Sequence, residues 1–223
     1  MNTRALAVLA LVAAAAPAFA DPLTGNGGFE TAGMGPTMSA QWFAGGGGAA
    51  GTLSERSSAN PFSGSWSQNL NAVGSDLTGA SAVITQNSIA DVGLPSLAPG
   101  SSLSLSFRGN YTLGPGGVGF YALKILNGSG AIVADTGLQV ITGSTAGYQL
   151  FSTSALTVPA FGAAPNDTYA AFVEISVAGG AFNGSFAQAY IDDVNVQGTT
   201  IPAPASLALV SGGLLLAGRR RRA

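Results

Sequence analysis

Side chains able to do acid–base or nucleophilic chemistry are scarce in this sequence of 223 residues. It contains neither histidine nor cysteine, which excludes a Ser-His-Asp triad, a histidine-ligated zinc ion and a thiol nucleophile. A Ser-Lys dyad would need Lys124, but this lysine interrupts an apolar run that predicts a strand with the ammonium group in solvent. Ten carboxylates remain, and no spacing among them selects a pair for glycoside hydrolysis. The composition therefore predicts a protein that is not an enzyme.

The charge of the central part, residues 21–200, limits its partners. Its only basic residues are Arg56, Arg108 and Lys124, whereas all ten carboxylates of the chain lie there. Such an acidic segment is a poor ligand for nucleic acid. Its length suits one domain with a sizeable core.

The N-terminus predicts export. Residues 1–20 carry an early arginine, an apolar run and the small-x-small ending Ala18-Phe19-Ala20, which is typical of a signal peptide. We expect a helical signal segment that signal peptidase cleaves between Ala20 and Asp21.

The C-terminus predicts a second membrane segment. A linker with a Pro-Ala-Pro motif spans residues 198–204, and residues 205–223 form an apolar helix with a basic end. As a helix from Ile201 to Gly218 this segment is at most about 27 Å long, slightly short of a hydrocarbon core near 30 Å. Four arginines resist transfer through the bilayer and would stay cytoplasmic: Arg219, Arg220, Arg221 and Arg222.

The proline motif, apolar helix and arginine cluster, in that order, resemble the PEP-CTERM sorting signal of Gram-negative bacteria. This resemblance implies recognition by an exosortase, which would cut near Pro202, Ala203 and Pro204 and pass the protein from the inner membrane towards the cell surface or extracellular matrix. Ala203 stands where the family's most typical signal has glutamate. An ordinary single-span anchor with a basic flank is the alternative.

Residues 21–197 predict an all-β domain. Leu103, Leu105 and Phe107 alternate with serines, and Val173, Ile175 and Val177 follow the same two-residue period. The Asn127-Gly128 pair predicts a hairpin turn between strands 119–126 and 131–134, and the Gly45–Gly48 run predicts a flexible loop. Further strands are expected at 29–31, 41–43, 51–57, 64–70, 82–86, 148–158 and 185–196. Short strands at this spacing favour an antiparallel β-sandwich or jelly roll.

A second resemblance covers most of this domain. Asn26-Gly27-Gly28-Phe29-Glu30, Trp42, the segments 81–86 and 103–107, and finally Ala189-Tyr190-Ile191-Asp192-Asp193-Val194 resemble, in order, the landmarks of galactose-binding-like jelly rolls. Carbohydrate-binding modules share that layout.

This second resemblance implies that the first and last strands are neighbours, which would bring Glu30 close to Asp192 or Asp193. In the resembling modules a structural calcium ion neutralises such carboxylates. Glu30 and Asp192 are the expected ligands, with Asp193 as the alternate. The other interpretation is that these carboxylates accept backbone hydrogen bonds at strand ends.

Five aromatic residues are candidate stacking platforms for sugar rings. Trp66 and Tyr111 lie in the most loop-like surroundings, so we expect them to be more exposed than the others. Burial of most of these rings in the core is nevertheless the more probable outcome. The full set is Trp42, Trp66, Tyr111, Tyr121 and Tyr148.

Two functional hypotheses follow. The first is a non-catalytic protein of the cell surface or extracellular matrix that acts in adhesion or exopolysaccharide association. The second is a lectin-like carbohydrate-binding module. A carboxylate-dependent glycoside-active enzyme is a remote third hypothesis.

Overall fold

The computed structural model describes residues 21–48, 52–160 and 168–200. The expected signal helix, the Pro-Ala-Pro motif and the arginine-ended helix lie outside these residues. Within the described ranges no helix is long and apolar enough to cross a bilayer.

Thirteen strands make up the described chain, and every strand pair is antiparallel. They are β1 (Asp21–Pro22), β2 (Phe43–Gly47), β3 (Leu53–Ser57), β4 (Ser67–Val73), β5 (Ala80–Asn87), β6 (Ser102–Leu113), β7 (Val118–Asn127), β8 (Ile132–Asp135), β9 (Gln139–Ile141), β10 (Gln149–Ser152), β11 (Leu156–Thr157), β12 (Tyr169–Gly179) and β13 (Phe186–Gly198).

The strands form two sheets packed face to face. The first sheet has the order β10-β6-β13-β4-β3, with β1 beside β13 and β11 beside β6; the second has the order β2-β5-β12-β7-β8, with β9 beside β7. The links β4 to β5, β6 to β7 and β12 to β13 each join one sheet to the other. The expected antiparallel β-sandwich is therefore confirmed, with the connectivity of a jelly roll.

The core lies between the sheets and is built by the alternation visible in the sequence. Leu103, Leu105 and Phe107 of β6 are fully buried, and Ile175 and its β12 neighbours face them from the other sheet. Each fully buried aliphatic or aromatic side chain of this kind contributes roughly 1.5–3 kcal/mol through removal of apolar surface from water.

Several local expectations were wrong. Of the expected strand 41–43 only Phe43 is in a strand, and the expected strand 148–158 is divided into β10 and β11. Residues 29–31 are not a strand, because the Asn26 side chain bonds the backbone of Thr31 in both directions and closes a loop in which Phe29 has a φ of 57°. The glycine run does not form a free loop, because Gly45–Gly47 belong to β2 and pair with β5. A Cβ at Gly46 would lie 2.5 Å from the carbonyl oxygen of Ser81, so close pairing there needs glycine.

The hairpin between β7 and β8 is present, but its left-handed residue differs from the expected one. Gly130 has the positive φ, 81°, whereas the Asn127-Gly128 pair does not. The Asn127 carboxamide instead accepts hydrogen bonds from the backbone N–H of Ser129 and of Ala131. The turn is thus stabilised by a side chain that mimics a backbone acceptor.

Candidate functional site

The outer face of the first sheet carries the candidate site. Pairing across four strands aligns Glu55, Asn69, Tyr190 and Asn110 in one row. The next row aligns Leu53, Asn71, Gln188 and Thr112. We call Asn69, Asn71, Asn110, Gln188 and Tyr190 the amide face.

Some polar groups of the amide face bond one another. Gln188 Nε2 donates to Asn69 Oδ1 at 3.1 Å and to the Tyr190 hydroxyl at 3.4 Å. Thr145 Oγ1 donates to Asn110 Oδ1 at 3.3 Å. These contacts hold the carboxamides of Asn69, Asn110 and Gln188 in place on the outer face.

The loop that connects β3 to β4, residues 58–66, lies across this outer face. We call this loop the strap. The Tyr148 hydroxyl donates to the carbonyl oxygen of Asn60, and the Phe62 ring packs against the Tyr148 ring with centroids 5.3 Å apart. At its C-terminal end, Trp66 covers the Arg56 guanidinium at 3.6 Å. The strap therefore reaches from the sheet edge to the opposite side of the sheet.

The three predicted calcium ligands attach the strap. Asp192 Oδ2 accepts the backbone N–H of Phe62 at 2.9 Å and of Ser63 at 3.0 Å, while Asp193 Oδ1 accepts the Ser63 hydroxyl at 2.7 Å. Glu30 Oε1 accepts the backbone N–H of Ser65 and of Trp66. These donors stabilise the negative charges of the three carboxylates. This matches the alternative interpretation, in which the carboxylates accept hydrogen bonds at strand ends.

The same three carboxylates converge around Gly28. A Cβ on Gly28 would lie 3.7 Å from Asp192 Oδ1, 3.9 Å from Glu30 Cγ and 4.0 Å from Asp193 Oδ1. Only Glu30 Oε2 and Asp193 Oδ2 have no hydrogen-bond donor from the described residues. No group of three histidine, cysteine, aspartate or glutamate residues within the described ranges is arranged to hold a metal ion. The bound calcium ion therefore stays a prediction.

Asp192 and Asp193 differ in their surroundings because Asp193 lies in a β-bulge that begins after Asp192. The register with β6 shifts between Asp192 and Asn195, and Asp193 has a φ of 48°. Asp192 is fully buried, but on the outer face beneath the strap rather than between the sheets. This burial raises the pKa of the Asp192 carboxyl, against the backbone hydrogen bonds that lower it.

A cleft of about 520 Å³ opens on the other side of the strap from the amide face. It lies at the bulge and between the N-terminal segment and β6. Its lining residues are Pro22, Thr24, Gly27, Gly28, Ser106, Arg108, Leu150, Asp193, Val194 and Asn195. The volume falls within the roughly 300–1,000 Å³ typical of small-molecule sites.

The five candidate stacking rings differ in how deeply they are buried. Trp42, Tyr111 and Tyr121 belong to the core, as the burial argument expected for most of them. The expected exposure of Tyr111 was wrong: its ring is fully buried against Phe151, and its hydroxyl has no hydrogen-bond partner in the described ranges. Trp66 and Tyr148 are half-buried. Trp66 contacts Arg56, and Tyr148 contacts the strap at Asn60.

Sequence reasoning missed Tyr190 as a site aromatic and did not find Asn69, Asn71 or Gln188. Polar residues alternate with core residues in β4 and β13, and that alternation was the available signal. Strand pairing decides which alternating residues share a row, and this pairing cannot be read from the sequence pattern.

Comparisons with known proteins establish the fold. The enzymatically active domain of bacteriophage CBA120 tailspike protein 4 has a TM-score of 0.52 at 20% identity over 78% of this chain, and this chain spans 21% of the tailspike chain. The CBM22-1 xylan-binding domain of Paenibacillus barcinonensis Xyn10C has a TM-score of 0.45 at 11% identity, covering 83% of this chain and 99% of that one. A family 22 carbohydrate-binding module of Clostridium thermocellum Xyn10B has a TM-score of 0.40 at 14% identity, covering 80% of this chain and 98% of that one.

No protein-family model and no curated protein matches the sequence. At 20% identity the likeness to the tailspike domain concerns the fold alone, and the two packed sheets of this chain define its class, a β-sandwich. What the site binds has to be argued from its own side chains.

Proposed function

We propose that this domain binds polysaccharide without acting on it. The observation that carries the proposal is the amide face, where planar amides in two register rows surround the Tyr190 ring. Each sugar hydroxyl can both donate and accept a hydrogen bond, as a carboxamide can through its NH2 group and its oxygen. The apolar face of a sugar stacks on aromatic rings. Neighbouring strands lie about 4.8 Å apart, so the rows repeat polar groups on the scale of a sugar ring.

The engagement of the carboxylates supports a non-catalytic role. Glu30, Asp192 and Asp193 converge beneath the strap and accept hydrogen bonds from it. Glu55 also lies on this face, opposite Asn69 and away from these three carboxylates. A catalytic pair would need one carboxyl poised to give a proton and another free to attack or to activate water. Asp192, with both oxygens accepting backbone N–H groups, suits neither task, and Glu30 and Asp193 each have one oxygen held by the strap.

A binding experiment on the full chain tests the proposal. A glycan array followed by calorimetry is expected to find a bound polysaccharide, and Gln188→Ala combined with Tyr190→Ala is expected to weaken that binding by tenfold or more. Thr85→Ala combined with Ser176→Ala alters the outer face of the second sheet and serves as the matched control. Absence of binding to every glycan by the folded protein would contradict the proposal.

We further propose, from the terminal motifs alone, that the protein is exported and sorted. Signal peptidase and an exosortase-type enzyme would be its processing partners, and the cell surface or extracellular matrix its destination. A polysaccharide-binding domain delivered there would act in adhesion or in association with exopolysaccharide. The apolar tail would hold it in the inner membrane only until processing.

A further inference from the structure

Arg108 differs from the other two cations of the described chain in having no acceptor. Arg56 is buried and donates to the carbonyl oxygens of Phe29 at 2.6 Å and Glu30 at 2.7 Å. Lys124 forms an ion pair with Glu174. Arg108 makes no ion pair or hydrogen bond through its guanidinium to any described residue, and its one close contact is the Phe62 ring, 4.7 Å from Cζ to the centroid.

The missing partner is notable because a carboxylate is nearby. Asp192 is the cross-strand neighbour of Arg108 in the β6–β13 pairing. The Asp192 oxygens are already used by the N–H groups of Phe62, Ser63 and Asp193. The strap thus takes the expected acceptor away from Arg108 and supplies an aromatic face in its place, which positions the cation through a cation–π contact.

The unpaired guanidinium lines the cleft, and so does an unpaired acceptor. Asn195 Oδ1 is shielded from water and has no hydrogen-bond partner among the described residues. Unpaired buried polar atoms are rare because each forfeits a hydrogen bond that water would have made. Because Asn195 is a lining residue of the cleft, a ligand hydroxyl that reaches its Oδ1 atom would satisfy this acceptor.

We propose that this cleft binds an acidic sugar residue through its carboxylate. This inference rests on the proposed function and names the class of polysaccharide. The guanidinium is always charged and presents a planar fork that fits a carboxylate with two parallel hydrogen bonds. Asn195 would accept from a ring hydroxyl, and Leu150 supplies an apolar wall. A uronic acid carries these three features together.

The negative charge of Asp193 repels an anionic ligand, so removing it should change the affinity in the direction opposite to removing the charge of Arg108. Asp193 is exposed at the cleft, and one of its oxygens accepts the Ser63 hydroxyl. Its charge repels a carboxylate ligand, so Asp193→Asn is expected to strengthen acid binding. Asparagine tolerates the left-handed backbone of this position, with φ at 48°.

The test uses the full chain with an oligogalacturonate and its methyl ester, which lacks the negative charge and carries one added methyl group on each carboxyl. By calorimetry in a buffer containing EDTA, we expect the wild type to bind the acid about tenfold more tightly than the ester, the scale of a charge-assisted hydrogen bond. Arg108→Gln should remove this preference, Arg108→Lys should keep part of it, and Asp193→Asn should increase it. Higher salt should weaken acid binding.

Lys124→Gln is the matched control, because it removes the same charge from the outer face of the second sheet and should leave the preference unchanged. Equal binding of acid and ester by the wild type, or an unchanged preference in Arg108→Gln, would overturn the inference and leave general polysaccharide binding intact. Failure of the folded protein to bind any glycan would remove both proposals. Thermal unfolding of each variant verifies that the binding data come from folded protein.

Discussion

Asp192 has a structural role that its neighbour Asp193 does not share. Both Asp192 oxygens accept backbone N–H groups, two of them from the strap, whereas Asp193 accepts one side-chain hydroxyl in solvent. A buried acceptor with several backbone donors is costly to remove, because each donor would remain buried and unpaired.

We therefore expect Asp192→Asn to lower the free energy of unfolding by about 1–3 kcal/mol, since a carboxamide offers one acceptor oxygen where the carboxylate offers two. Urea denaturation measures this loss. Asp193→Asn is the paired control, and its effect should stay within about 0.5 kcal/mol, as for most exposed substitutions. Equal losses in the two variants would contradict the role assigned to Asp192.

The calcium prediction concerns the same residues and has its own test. An ion held by Glu30 and by Asp192 or Asp193 would stabilise the folded state by mass action, so the Tm should rise with Ca²⁺ and fall in EDTA. Glu30→Gln should abolish the Ca²⁺-dependent rise. A Tm that does not respond to Ca²⁺ would contradict the calcium site and leave hydrogen-bond donors of the described chain as the partners of these carboxylates.

At the scale of elements, the link between β4 and β5 contains a strained residue. Ser75 and Thr78 bond each other through their backbones in both directions, and Leu77 between them has a φ of 68° and a side chain that is 95% exposed. Turns with a positive φ at the third position favour glycine or asparagine, because a Cβ there crowds the following carbonyl oxygen.

Leu77→Gly should therefore raise the free energy of unfolding by about 1 kcal/mol, because it relieves this strain without losing buried surface. Thermal or urea denaturation measures the change. Leu138 is also exposed, at 53%, but has no positive φ, so Leu138→Gly should destabilise through added chain entropy. A loss of stability in Leu77→Gly would show that the leucine side chain makes contacts that outweigh its backbone strain.

At the scale of the whole molecule, the two ends of the described chain lie side by side. Asp21 pairs with Gly198 in the first sheet, and the N–H of Leu23 donates to the carbonyl oxygen of Val196. Asp21, the expected first residue after signal peptidase cleavage, therefore lies beside Gly198, the last residue of β13. The amide face extends towards the other end of that strand, where Gln188 and Tyr190 lie.

The export proposal is tested by the intact mass of the protein recovered from cells. We expect a mass that lacks residues 1–20 and the segment after the proline motif. A mass that includes Arg219 to Arg222 would identify a plain membrane anchor, and full-length protein that retains Met1 in the cytosol would contradict export altogether.

The sequence alone determined the architecture. Two-residue alternation in the segments of β6 and β12 reports directly which residues face the core, and glycine, asparagine and proline clusters report where strands end. The absence of histidine and cysteine likewise restricts the chemistry without any coordinates.

Only the tertiary structure decided the site. The strap, the bulge at Asp193 and the unpaired Arg108 all depend on contacts between residues far apart in the chain, such as the 130 positions between Phe62 and Asp192. A single strand cannot encode which neighbour it will meet, because its local pattern fixes only the face of each side chain. The strap, folded over the outer face, then buried Asp192 and left Arg108 among the residues that line the cleft.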